Sequence, residues 1–188
     1  MPVDIPGGID PRHFSDLSHL LEDILKDIKD KTGVEPVWVS SRLNETGRDD
    51  LSPVFVGWVE SEDAKWRRKR GNHPDPGLYR FGDNHYSTIY EECFRYPDQV
   101  RSRNWSAQRP DIDSRAFGEK AYGEKYRRSI AIKVGNRYVG TLNAGFIEDP
   151  ASGRDLDGKV KWWAQDLSSP LTDHVQRHFN LSSPARLP

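Results

Sequence analysis

The sequence contains a single cysteine in 188 residues, which excludes an internal disulfide and any zinc cage built from cysteines. No apolar run approaches the roughly 18 residues that a membrane-crossing helix needs. The opening MPVDIPGGID lacks the basic-then-apolar profile of a signal peptide, so a cytoplasmic location is expected. A glycine-rich phosphate loop and a GxSxG elbow are missing too, and the Ser, His and Asp residues form no local catalytic motif. Hydrophobic residues are scarce at 35%, whereas charged residues reach 30%. Six Trp, seven Tyr and seven Phe nevertheless give an aromatic share that a disordered chain does not carry, so the chain folds, with wet loops. The length suits one domain.

The net charge of −1 hides an uneven distribution. Residues 1–63 hold 6 Lys/Arg against 14 Asp/Glu, a balance of −8, while residues 64–128 hold 15 against 9, a balance of +6. Part of the acidic excess is a solvated helix face. Asp10 as cap and Pro11 as first helical residue open a segment in which Phe14, Leu17, Leu21, Ile24, Leu25 and Ile28 recur at steps of three and four until Gly33, with Asp16, Glu22, Asp23, Asp27 and Asp30 on the other side. Val34 to Leu43 and Val54 to Glu60 read as two strands forming an antiparallel pair. Trp66 to Gly77 reads as an exposed basic loop. Tyr86, Ile89, Tyr90, Cys93 and Phe94 fall at helical spacing, and Pro97 to Pro110 shows no regular pattern. DPASGRDLDGK, starting at Asp149, reads as a loop, Trp162 and Trp163 as a helix or turn near the sheet, and Ser169 and Pro170 as the start of a closing helix carrying Leu171, Val175 and Phe179 inward. Residues 1–9 are expected to form a loose arm, 10–180 a single domain and 181–188 a frayed tail.

The segment RRSIAIKVGNRYVGTLNAGF, Arg127 to Phe146, reads as a hairpin: Ser129 to Val134 and Arg137 to Phe146 are strands joined by Gly135 and Asn136, which tolerate the positive φ of a tight turn. An unbroken ladder sets Ile132 opposite Val139. It would place Ile130, Ile132, Val134 and Val139 on one face, and Ala131, Tyr138, Gly140, Leu142, Ala144 and Phe146 on the other. A hairpin apolar on both faces belongs inside a layered α+β domain.

The order of elements, together with Ser129, Gly135, Gly140, Leu142 and Asn143 in SIAIKV and VGTLN, resembles the GAF domain, a small-molecule sensor fold related to PAS. Lys133 stands where many GAF strands carry proline. The resemblance implies an antiparallel sheet with N- and C-terminal helices on one face and a variable helical or loop segment on the other. A ligand would lie between the sheet and residues 78–125. The candidate ligand-binding residues are Tyr86, Tyr90, Arg95, Arg101 and Trp105, facing Gly140 and Ala144, whose small side chains leave room above the sheet. The resemblance further implies a homodimer associating through the terminal helices. It implies a sensory or regulatory domain in signal transduction that binds a small ligand of unknown identity, an anion among the options. The alternatives are a protein–protein or dimerisation module with a self-filled pocket and, below it, a small-molecule enzyme.

No catalytic residue is assigned. Some GAF domains attach a bilin through cysteine, and a GAF-like enzyme family reduces free methionine sulfoxide with several cysteines. Cys93 lacks a resolving partner and lies on the apolar side of its helix, which reads as a structural thiol. His174 and His178 stand at the i,i+4 spacing of a metal pair, but DHVQRH supplies no Glu base and no third ligand can be placed, so no metal is assigned and the cofactor is unknown. Lys65, Trp66, Arg67, Arg68, Lys69 and Arg70, followed by Arg95, Arg101, Arg103, Trp105 and Arg109, suit phosphate contact and base stacking. A pI of ≈ 6.6 and the lack of a binding motif disfavour nucleic acid and leave a small anion or an acidic protein face.

Overall fold

A computed structural model describes residues 11–44, 53–67, 79–80, 92–93, 95–104, 123–134 and 137–167. In chain order the elements are α1 (Pro11–Thr32), β1 (Trp38–Asn44), β2 (Pro53–Glu60), α2 (Glu62–Arg67), β3 (Tyr79–Arg80), β4 (Arg101–Asn104), β5 (Tyr126–Val134), β6 (Arg137–Phe146), a 3-10 turn (Pro150–Ser152) and α3 (Leu156–Asp166). The strands form one antiparallel sheet in the order β3-β2-β1-β6-β5-β4. This is the α+β arrangement expected from the sequence.

Helix α1 ends where its apolar stripe ends. Gly33 takes φ +79° and its N–H donates to Lys29 O at 2.9 Å, while Thr32 Oγ1 donates to Ile28 O at 2.6 Å. Only glycine adopts such a left-handed cap without strain. The stripe delivers Leu21, Ile24 and Ile28, fully buried, onto Val39, Val59, Ile130, Ile132, Leu142, Ala144 and Phe146 of the sheet. Helix α3 packs on the same sheet face with Leu156, Val160, Ala164 and the following Leu167. Asp27 ties the two helices, accepting from Lys159 Nζ at 2.7 Å and from the Trp163 indole N–H. Burial raises the Asp27 pKa, but those two donors and the charges of Lys159 and Lys31 outweigh it and hold the carboxyl below its ordinary value.

Three readings of the sequence are corrected here. The loop assigned to residues 149–159 gives way at Leu156 to helix α3; the helix opens after Asp155, at φ 45°, and Gly158 lets the Asp155 carboxylate close in where a Cβ would meet its oxygens at 2.4 and 2.5 Å. The pattern-free stretch after Pro97 contains β4, a polar edge strand without apolar alternation. Trp66 and Arg67, read as loop, belong to α2, and residues 68–77 lie outside the described residues. The closing helix expected at 169–179 also lies outside them.

The decisive correction is in the hairpin. Val134 pairs with Arg137 and Lys133 with Tyr138, but Ile132 pairs with Gly140, leaving Val139 unopposed as a β-bulge. Leu142, Ala144 and Phe146 therefore join Ile130 and Ile132 under the helices instead of lining the opposite face.

Leu21→Ala or Ile24→Ala removes a fully buried side chain from this cluster, and urea unfolding is expected to show a loss of about 2–5 kcal/mol for either.

Candidate ligand-binding face

The sheet face turned away from α1 and α3 is polar and buried. Register builds it in two rows of side chains that cross the strands. One row runs Glu60, Trp38, Gly145, Arg127, Arg103; the next runs Ser40, Asn143, Ser129, Arg101, with Thr141 beside Asn143 along β6. Ser40, Ser129 and Asn143 are 0% exposed and Thr141 is 1% exposed.

At the Trp38 end everything is tied together. The Trp38 indole N–H donates to Glu124 Oε2 at 2.8 Å. Arg127 reaches the same carboxylate with Nε to Oε1 at 2.7 Å and Nη2 to Oε2 at 3.2 Å, while its guanidinium carbon lies 5.1 Å from the centre of a Trp38 ring. Both ions are nearly solvent-free, so the fork geometry and the indole donor must offset the cost of removing the charges from water. Gly145 is required at this end, because a Cβ there would stand 2.2 Å from Trp38 Nε1.

In the second row the hydrogen bonding is incomplete. Asn143 Nδ2 donates to Thr141 Oγ1 at 3.1 Å and to Ser40 Oγ at 3.4 Å, leaving both hydroxyls free to turn their own protons elsewhere. Asn143 Oδ1 and, on the neighbouring strand, Ser129 Oγ have no hydrogen-bond partner among the described residues. Ser41 Oγ shares this condition, on the helix side of the sheet.

At the β4 edge Arg103 grips Glu92 with two nitrogens, Nη2 to Oε1 at 2.5 Å and Nη1 to Oε2 at 3.2 Å. Arg101 touches the same carboxylate once, through Nε at 3.1 Å, extends Nη1 to Gln99 Oε1 at 3.3 Å, and lies over the Tyr96 ring at 4.9 Å. The hydrogen bond and charge of Arg103, reinforced by Arg101, hold Glu92 below the ordinary carboxylate value against the opposing effect of burial. Cys93, next in the chain, is fully buried, and burial pushes its thiol up to about 12, so it stays protonated at neutral pH. Among the described residues no cluster of three or more His, Cys, Asp or Glu could hold a metal.

Of the residues expected from the sequence to meet a ligand, Arg101 lies on this polar face and Arg95 is exposed to solvent. Gly140 and Ala144 do not face it: the bulge turns them to the helix side, where Ala144 is part of the core. Tyr86, Tyr90 and Trp105 lie outside the described residues, as do His174 and His178. The sequence reading missed Ser40, Thr141, Arg103, Arg127, Glu92 and Glu124, and it noted Ser129 and Asn143 only as family-like positions. The available signal is the polar pair Thr141 and Asn143 at strand spacing in a strand that is otherwise apolar from Val139 onward.

No family model and no curated protein matches the chain. Solved structures do. The GAF domain region of a putative membrane protein from Geobacter sulfurreducens superposes with a TM-score of 0.58 at 12% identity, covering 87% of this chain and 97% of that one. The fold is the GAF fold. The GAF domain of a two-component sensor histidine kinase from Bacillus halodurans gives a TM-score of 0.52 at 15% identity over 86% of this chain and 96% of that one. A type II free methionine-R-sulfoxide reductase from Thermoplasma acidophilum gives 0.57 at 8% identity over 86% and 95%. The GAF-like architecture thus accommodates both sensing and catalysis in other proteins, and the fold by itself assigns neither to this chain.

Two measurements check the geometry of this face. Glu124→Ala leaves Arg127 buried without its carboxylate and is expected to cost about 3–5 kcal/mol in denaturant unfolding. Glu92, whose folded pKa is depressed below 4.5, contributes stability that is fully present above its unfolded pKa and lost as pH falls through the folded value. Glu92→Gln is therefore expected to be less stable than the wild type at neutral pH and to lose part of the acid dependence, as read from unfolding curves between neutral and acidic pH.

Proposed function

We propose that this protein is a sensory GAF domain that binds a small molecule on the polar face of its sheet and acts in signal transduction. The observation that carries the reading is the pair of buried atoms, Ser129 Oγ and Asn143 Oδ1, that stand on adjacent strands without partners among the described residues. A buried polar atom left unpaired costs about 1–3 kcal/mol, and a ligand that pairs both recovers that cost on binding. The likeness to the GAF domain of a sensor histidine kinase supports the sensory half of the reading. A catalytic role like that of the reductase is less well supported, because the single thiol is protonated and buried.

The test is a thermal-shift screen of small acids, nucleotides and tetrapyrroles against the wild type and Ser129→Ala. A compound at 100 times its dissociation constant is expected to stabilise the wild type by about 2.7 kcal/mol. Ser129→Ala is expected to be neutral or more stable when free, since it deletes an unpaired buried hydroxyl, and to lose the ligand-induced shift. A ligand whose shift survives both Ser129→Ala and Asn143→Leu binds elsewhere and removes the polar face from consideration.

A further inference from the structure

Building on that reading, we propose that the ligand is a small carboxylate anion bearing an O–H or N–H donor beside its carboxylate, a hydroxy acid being the simplest case, and that Glu92 is the internal counter-ion it replaces on Arg101. Three observations converge on this chemistry. The first is the unequal grip on Glu92. Arg103 holds both carboxylate oxygens, so Glu92 remains paired if Arg101 leaves. Arg101 makes one contact with it through Nε, and among the described residues its Nη2 makes none. Among the described ion pairs, two guanidinium groups share the one Glu92 carboxylate in a half-buried setting, with Arg101 29% and Glu92 25% exposed, so their positive charge exceeds the negative charge it meets there. An anion placed there gains more than it would in bulk water.

The second observation is position. Arg101 is the cross-strand neighbour of Ser129, and Ser129 of Asn143, so the residue that carries the loosely held guanidinium and the two residues with unpaired atoms stand in a single row over three adjacent strands. Neighbouring strands are about 4.8 Å apart, so the row spans about 10 Å from β4 to β6, a distance that the long Arg101 side chain and one small molecule cover together. The third is the polarity along that row. The guanidinium and the Ser129 hydroxyl donate, which suits the two oxygens of a carboxylate. Asn143 Oδ1 can only accept, and the Nδ2 donors of the same amide are engaged with Ser40 and Thr141, so the ligand must bring a donor to that end. A net monoanion also fits better than a zwitterion, since among the described residues the other carboxylates of this face, Glu124 and Glu60, stand in the Trp38 row and not beside Asn143.

The experiment uses calorimetric titration and thermal shift of the whole chain with lactate, its neutral isostere lactamide, acetate and alanine. Lactate is expected to bind, with lactamide, acetate and alanine each about tenfold weaker or more, because they lack the charge, the donor and the net anionic state respectively. Arg101→Gln is expected to lower lactate affinity at least to that of lactamide while leaving lactamide unchanged. Arg101→Lys, which keeps the charge but loses the fork, falls between. Glu92→Gln, which removes the competing counter-ion, is expected to tighten lactate. Equal binding of lactate and lactamide, or lactate binding indifferent to Arg101→Gln, overturns the proposal. So does the failure of lactate and acetate to bind at all. The broader reading then stands or falls separately: a different compound from the screen whose shift is lost in Ser129→Ala keeps the polar face as the site, whereas ligands indifferent to Ser129 and Asn143 remove both.

Discussion

Because Val139 stands opposite no residue of β5, every β6 side chain from Gly140 onward faces the side of the sheet opposite to the one an unbroken ladder would give it. The two faces owe their composition to that one residue. With it, Leu142, Ala144 and Phe146 meet Ile130, Ile132 and the two helices, while Thr141, Asn143 and Gly145 meet Ser129, Arg127 and Trp38. Without it, β6 would present an amide and a hydroxyl to α1 and α3, and its three apolar residues to an ion pair. A side-chain period of two makes a strand intolerant of a one-residue slip, so burial on both faces keeps the bulge in place.

The polar face combines one saturated end with one unsaturated end. Around Trp38 the largest fully buried side chain among the described residues lies against a backbone that tolerates no Cβ, and its N–H, the Glu124 carboxylate and the Arg127 guanidinium satisfy one another. Such a cluster gains little net stability over an apolar packing of equal volume, yet loses much if one member is removed, so it fixes geometry more than it adds to stability. Two residues along the same strands, the Asn143 amide oxygen and the Ser129 hydroxyl are held at full burial without a hydrogen-bond partner among the described residues. A rigid frame next to unpaired donors and acceptors is the arrangement that binding favours, because little further ordering is needed.

Elements whose pattern arises from their own residues were legible in the sequence: the stripe of α1 and its stop at Gly33, the pairing of β1 with β2, and the existence of the hairpin. What could not be read depends on partners distant in the chain. β4 is polar because it is an edge strand whose arginines meet Glu92, so apolar alternation cannot reveal it. The start of α3 is hidden by Gly158 and by a left-handed Asp155 without a side-chain cap, since its stability comes from packing Leu156 and Val160 on the sheet. The two sheet faces are exchanged in the sequence for one reason. Counting the ladder without its bulge puts Gly140 and Ala144 on the face away from the helices and hides that Thr141, Asn143 and Ser129 share it.

Strand β5 connects the two halves of the molecule. Ser129 faces the unsaturated end of the polar face, and Ile130, the next residue, is buried under the helices; Arg128, on the other side of Ser129, pairs with Asp157 at the start of α3 at 3.2 Å. Alternation obliges any displacement of Ser129 by a ligand to be taken up by a backbone whose neighbouring side chains are packed or ion-paired on the far face, and close packing leaves them little room to absorb it. Since Asp27 joins α3 to α1 through Lys159 and Trp163, what reaches α3 is shared with the N-terminal helix. The sheet thus joins the polar face to the helical layer through a single strand, so a displacement on one side meets packed or ion-paired side chains on the other.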